Sequence, residues 1–243
     1  MATQKYNKLA GKHVLIVGGN SGIGYAVAEA SIESGASVTI SSSSSTRAIA
    51  GINSLKTSYP SAKVSGHACD LSKPILETDI EALFEKTGKV DHIVFTAGDK
   101  LAQLPIEEIS LEKIMTADKS AFCSLAGPAS SIVLTTGAVA DRPIANWSVP
   151  APYAAGLHGM TRNLALDIKP IRVNLVSPGA IDTELWKDLS EEQKKRMFKS
   201  IGEKVPTGHV GRPEEVAEAY LWLMKDSNVA GYIASSDSGS LLV

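Results

Sequence analysis

Short apolar runs of strand length alternate along this chain with longer segments whose apolar residues return every three or four positions. HVLIVGG (13–19), SVTISS (37–42), KVSGHACDL (63–71), DHIVFTAG (91–98), SSIVLTTG (130–137) and IRVNLVSPG (171–179) read as strands. Most are continuous β-branched runs rather than in-out alternations, the pattern of strands covered on both faces. GIGYAVAEASIESG (22–35), ETDIEALFEKTG (77–88), APYAAGLHGMTRNLALDI (151–168) and PEEVAEAYLWLMKD (213–226) read as helices, the first with a Gly stop. Strands alternating with helices predict right-handed crossovers and an α/β fold: a Rossmann-type, doubly wound parallel sheet with helices on both faces. No linker or composition shift divides the chain, so one domain over 1–243 is expected. The SSSSS run at 41–45 directly follows a strand and reads as a loop.

Composition changes this picture little. The chain has 243 residues, 44% of them apolar and 21% charged, an ordinary balance for a globular protein. A net charge of −2 gives no sign of a nucleic-acid or membrane-surface partner, and a small-molecule substrate is expected. Cys69 and Cys123 lack metal-ligand spacing, so no metal is expected, and reduced thiols suit a cytoplasmic location. The polar start MATQKYNKLAGK has no apolar signal core, and no apolar run is long enough for a membrane span.

The first candidate chemistry is GGNSGIG (18–24), between the first strand and the first helix. Gly18 permits a tight turn, Gly22 lets a pyrophosphate approach the backbone, and Gly24 allows close helix–strand packing. The helix start that follows offers unpaired N–H groups and a partial positive charge. Asn20, Ser21 and Ile23 complete this candidate dinucleotide loop. At the end of the second strand a carboxylate would favour NAD. This chain has Ser42 and Ser43, with Arg47 a few residues on. Hydroxyls and a guanidinium suit a phosphate dianion, which predicts NADP(H). Asp70 is placed to accept from an adenine amino group, or alternatively to cap a helix.

These residues resemble the short-chain dehydrogenase/reductase family along almost the whole chain. GGNSGIG resembles its TGxxxGIG motif, and FTAG (95–98) its NNAG with both asparagines replaced. CDL (69–71), SPGAIDT (177–183) and GRPEEVAEA (211–219) resemble further family segments. The resemblance implies cofactor contacts from Asp70, Leu71, Ala97, Gly98, Pro178, Gly179, Ile181 and Thr183, the last two at the nicotinamide. It also implies a homo-oligomer, tetramer or dimer, and a substrate lid over about 184–206. In that lid Leu185, Trp186 and Phe198 are expected to face inward, and the charge run 191–196 to face solvent.

The resemblance breaks at the catalytic set. IVLTTG (132–137) and MTR (160–162) match the family's segment at both ends without a gap. In that frame the family's Ser, Tyr and Lys positions hold Gly137, Pro150 and Ala154. Tyr153 then lies one residue, about 100° of helix, from the lysine position. A three-residue shift would restore Tyr153 and put Leu157 at the lysine position; both frames lack the lysine. A general acid of this kind is worth about 10²–10⁴ in rate. Its loss is tolerable when the hydride acceptor is already cationic or conjugated.

A narrower resemblance is to fungal NADPH-dependent reductase/Diels–Alderase proteins of prenylated indole alkaloid biosynthesis, carried by HIVFTAGD, LTTG…RP…NW, PIRVNLVSPGA and AEAYLWLMKD. It implies an NADPH-dependent reductase of an iminium-like or conjugated intermediate. The alternatives are a Diels–Alderase-like cyclase or isomerase using NADP structurally, or an inactive scaffold. Trp147 matches a substrate-packing Trp, while the group's active-site Asp is Ile144 here. Thr136, Arg142, Trp147 and Tyr153 are therefore the candidate catalytic residues. Finally, the stretch from FTAG to SIVLTTG is about a dozen residues short of a family crossover near Met115–Thr116. Two accounts stay open: a true deletion, or residues missing from this sequence.

Overall fold

The computed structural model describes residues 5–72, 77–98 and 125–243. Among them, one sheet holds seven strands: β1 (His13–Val17), β2 (Ser37–Ser42), β3 (Val64–Ala68), β4 (His92–Phe95), β5 (Ser131–Thr135), β6 (Arg172–Pro178) and β7 (Ile233–Ser236). Six α-helices accompany them: α1 (Gly22–Glu33), α2 (Ser45–Ser58), α3 (Glu77–Thr87), α4 (Pro150–Asp167), α5 (Glu191–Gly202) and α6 (Pro213–Lys225). The spatial order is β3-β2-β1-β4-β5-β6-β7, and every pairing is parallel. The doubly wound parallel sheet expected from the sequence is the one found.

Strand pleating sorts the core into two layers. Val14 and Ile16 of β1 face a cluster with Ala26 and Val27 of α1 and Val216, Tyr220 and Leu223 of α6. Leu15 and Val17 face the other side, with Ile80, Leu83 and Phe84 of α3, and Leu157 and Leu164 of α4 packed against it. Both faces are covered, which explains why the strands read as unbroken apolar runs. Winding reverses between β1 and β4, and at such a switch point the carboxyl ends of the strands leave a crevice.

The structure corrects several expectations. The serine run is not all loop: Ser41 and Ser42 end β2, Ser43 and Ser44 turn, and Ser45 opens α2. The Ser44 hydroxyl caps α2 by accepting from Arg47 N. α2 buries Ala48, Gly51 and Leu55, a helical spacing that the polar composition of the segment obscures. β7 is also additional. It pairs with β6 along Leu175–Pro178 and is too short and polar to announce itself. Arg172 secures that end of the sheet. Its guanidinium donates to the carbonyls of Leu223, Asp226 and Met224 at 2.7–2.9 Å, a cation at the negative end of α6. The short connection near Met115–Thr116, and Cys123, lie outside the described residues.

Candidate functional site

The glycine loop sits in the crevice because three strand ends grip it. Gly18 N and Gly19 N donate to Ser41 O of β2 at 3.0 and 3.2 Å, while Thr96 N and Ala97 N after β4 donate to Val17 O at 2.9 Å. Gly18 has φ +88°, and a Cβ there would meet Ala97 N at 2.6 Å. Gly22 has φ +53° and faces Thr183. A Cβ on Gly24 would stand 2.3 Å from Gly18 O and 2.4 Å from the Thr96 hydroxyl. The loop is thus a cradle that side chains would fill, at the start of a helix. That start is open: Ser21 makes no side-chain cap, and α1 has no acidic residue in its first turn. Backbone N–H groups and the helix dipole suit an anion there. Asn20 lies against α2, its Cα 3.2 Å from where a Gly51 Cβ would be. Ile23 packs against the core.

At the neighbouring strand end Ser42 is buried and Ser43 exposed. Arg47 Nη1 donates to Ser43 Oγ at 3.4 Å. The start of α2 adds its own N–H groups beside this hydroxyl–guanidinium pair. The sequence reading missed that contribution; Ser44 followed by apolar residues at 48, 51/52 and 55 is the signal that carries it. Asp70 Oδ1 accepts from Ser72 N at 3.1 Å and Ser72 Oγ at 2.7 Å. α3 is described only from Glu77, beyond capping reach of Asp70. Leu71 packs against the α3 side of the core, as does Ala97, while Gly98 is exposed at the edge of the described segment.

The end of β5 meets the start of α4 through one bond: Thr136 Oγ1 donates to Ala154 O at 2.8 Å. α4 runs unbroken from Pro150, with Pro in its first turn. Ala154 is 7% exposed, but Tyr153 is 49% exposed, so the two neighbours point to different sides of the helix. Gly137 is extended, at φ −159°, and a Cβ there would first meet Pro178 O at 3.9 Å. Another phenol, Tyr220, lies under β5 on the sheet face opposite α4. Thr135 donates its proton to Phe95 O at 2.6 Å, so Tyr220 donates to Thr135 at 2.7 Å. Burial pushes that phenol's pKa up. Tyr220 therefore braces the strand and is no substitute proton donor for a ligand on the α4 side.

Of the remaining candidates, Trp147 is half-buried, and its carbonyl accepts from Ala151 N at 3.0 Å. Arg142 is exposed, and its guanidinium donates to Ser240 O. That bond draws the loop after β5 to the segment after β7.

The stretch after β6 is fixed by backbone fits. Gly179 N donates to Ser236 O at 3.1 Å, and Asp182 N to Gly211 O at 2.9 Å. A Cβ on Gly179 would meet Asp237 at 2.8 Å. Pro178 and Ile181 are buried, and Thr183 Oγ1 accepts from Leu185 N at 3.3 Å. The expected lid divides into a 3₁₀ turn, Glu184–Trp186, and α5. Trp186 Nε1 donates to Ile181 O at 2.7 Å, and its ring meets Phe198 edge-on at 6.3 Å. Leu185, expected inside, is 45% exposed, because the tight turn sends it to the other side from Trp186. The charge run is not wholly solvated either. Lys194 pairs with Asp182 at 2.6 Å and lies 5.2 Å above the Phe198 ring. The hydrogen bond to Asp182 raises the lysine's pKa. Ser190 and Gln193 close a reciprocal capping box that starts α5.

No group of metal-ligating side chains occurs among the described residues, and none of the described helices is long and apolar enough to cross a membrane.

Comparison with known proteins agrees with this architecture. The model of the SDR-like Rossmann domain matches residues 5–243. The chain is 41% identical to short-chain dehydrogenase/reductase fsr5 of Gibberella fujikuroi, over 97% of each chain. It is 37% identical to short-chain dehydrogenase/reductase malC of Malbranchea aurantiaca, over 96% of each. The structure of MalC reductase/Diels–Alderase from Malbranchea aurantiaca superposes with a TM-score of 0.91 at 36% identity, covering 99% of this chain and 100% of that one. The alignment with fsr5 runs over 256 positions, more than the 243 residues here. That relative therefore carries residues within the matched region that this chain lacks.

Proposed function

The chain belongs to the short-chain dehydrogenase/reductase family, and from that premise we propose that it is an NADPH-dependent reductase with a non-standard active site. Its substrate is an iminium-like or conjugated intermediate of natural-product assembly. The observation that carries this reading is the Thr136–Ala154 bond. It supports the frame in which Gly137, Pro150 and Ala154 stand where the family has Ser, Tyr and Lys.

The glycine cradle and the open start of α1 fit a pyrophosphate, with Gly18, Asn20, Ser21, Gly22, Ile23 and Gly24 holding it. Ser42, Ser43, Arg47 and the start of α2 fit a 2′-phosphate. Asp70, Leu71, Ala97 and Gly98 would flank the adenosine side, and Pro178, Gly179, Ile181 and Thr183 the nicotinamide side. Bound NADPH supplies a hydride. The residues of this chain then have a limited task. An iminium carbon that accepts hydride becomes a neutral amine, so no alkoxide needs a proton. A small, apolar wall at Gly137, Pro150 and Ala154 suits that chemistry and makes room for a bulky ring. Thr136, Arg142, Trp147 and Tyr153 are the remaining candidates for orienting it. A homo-oligomer, dimer or tetramer, belongs to the same reading.

The test is NADPH oxidation by the purified protein against a panel of cyclic iminium ions, enones and plain ketones. Turnover of the first two with little on ketones is expected. Tight NADPH binding with no oxidation by any acceptor overturns the reductase reading and favours a cyclase that holds NADP structurally. The likeness to a reductase/Diels–Alderase keeps that second reading in view. Ile144 in place of the group's Asp argues against it.

A further inference from the structure

The open start of α1 has an anion beside it already, supplied from a distant part of the chain. A Cβ built on Gly22, the first residue of α1, would lie 3.3 Å from Thr183 Cβ and 3.4 Å from Glu184 Oε2. Glu184 opens the 3₁₀ turn that begins the lid. Its position follows from the fold on both sides. Thr183 is held by its hydroxyl bond from Leu185 N and by the Asp182–Gly211 backbone pairing. Trp186 anchors the far side of the turn on Ile181 O. The lid thus brings a carboxylate to a helix start that has neither a side-chain cap nor an acidic residue of its own. A negative charge is favoured at such a place, and a dinucleotide's phosphates need the same place.

We propose that Glu184 is a built-in competitor for the phosphate site: its carboxylate rests at the start of α1, and cofactor phosphates must displace it. The proposal depends on reading the Gly18–Gly24 loop as a dinucleotide cradle. Two like charges cannot share one helix start cheaply, so the carboxylate lowers cofactor affinity. Because Glu184 is exposed, the effect is modest and screened by salt.

The experiment measures NADPH affinity of the full chain by nucleotide fluorescence for wild type, Glu184→Gln and Glu184→Ala. The amide keeps the size of the side chain and removes its charge. Glu184→Gln is expected to bind NADPH about two- to fivefold tighter at low salt, the range of a single charge at a helix end. Glu184→Ala should bind at least as tightly, and both gains should shrink at high salt. Equal or weaker binding by Glu184→Gln, in a chain that binds NADPH, overturns the competitor while leaving the cradle intact. A folded wild type that shows no NADPH binding brings down the cradle reading and the proposal with it.

Discussion

The hydroxyl of Thr136 donates to the carbonyl of Ala154 at 2.8 Å, tying the residue after β5 to the second turn of α4. That bond fixes how strand and helix face each other, so it bears on which helix residues can reach a ligand at the end of β5. Ala154 is on the buried side and Tyr153 on the exposed side.

The register can be tested by rebuilding the missing set. Gly137→Ser meets no atom closer than ordinary contact, and Pro150 sits in the first turn, where another residue is accepted. The triple variant Gly137→Ser, Pro150→Tyr, Ala154→Lys should gain reduction of simple ketones by about a hundredfold or more. Steady-state NADPH oxidation measures it. A folded triple variant that binds NADPH and reduces ketones no faster than wild type shows the frame to be wrong.

Cofactor choice should depend on Arg47 and the α2 start. Removing the guanidinium with Arg47→Ala loses a charge-assisted contact, about 1.5–3 kcal/mol, or roughly tenfold to a hundredfold in affinity. NADPH should weaken by that amount and NADH hardly at all. Wild-type binding of NADH as tight as NADPH would refute the role of Ser42, Ser43 and Arg47.

Gly24→Ala should damage both cradle and fold. The new methyl would press on Gly18 O at 2.3 Å and Thr96 Oγ1 at 2.4 Å, and the first of these is backbone that cannot turn aside. Overpacking of this sort costs about 1–3 kcal/mol. Thermal unfolding should shift downward and nucleotide binding should fall. An unchanged midpoint with unchanged affinity would contradict the close packing of α1 on the β1 and β4 ends.

Stability should fall in mild acid because of His92. This side chain is 4% exposed, and its Nδ1 lies 2.8 Å from Ser131 Oγ. Burial pushes its pKa down to about 4, with Asp91 opposing and Arg172 and Lys12 adding to the shift. The unfolded chain therefore takes up a proton below pH ~6.5 that the folded chain refuses until about pH 4. The stabilisation is complete above the unfolded value and disappears as pH falls through that window, on the order of 3 kcal/mol in all. Asp91, whose partial burial works to raise its pKa but is outweighed by bonds from His13 N and Lys12 that lower it, acts in the same direction at lower pH. Urea unfolding at several pH values should show the slope, and His92→Asn should flatten it. An identical slope in that variant would assign the acid sensitivity elsewhere.

Much of the architecture was readable from the chain because it is written locally. Six strands showed as apolar runs, and the glycine loop showed in its place between strand and helix. α2 and β7 were not readable for the same reason. α2 is stabilised by fitting Gly51 against Ile40 and Asn20, and β7 by pairing with β6. The apolar spacing of α2, at Ala48, Gly51 and Leu55, is diluted by the polar residues between them, and β7 has little apolar pattern of its own.

The sequence by itself determined the succession of strands and helices and the absence of a lysine in either catalytic frame, because periodicity and residue identity need no partner. Only the tertiary structure decided what those residues meet: Gly24 against Thr96, Lys194 against Asp182, and Glu184 at the start of α1. Those meetings join positions far apart in the chain. They depend on the order in which strands are laid into the sheet and on the angle at which each loop leaves it, and no local pattern encodes either.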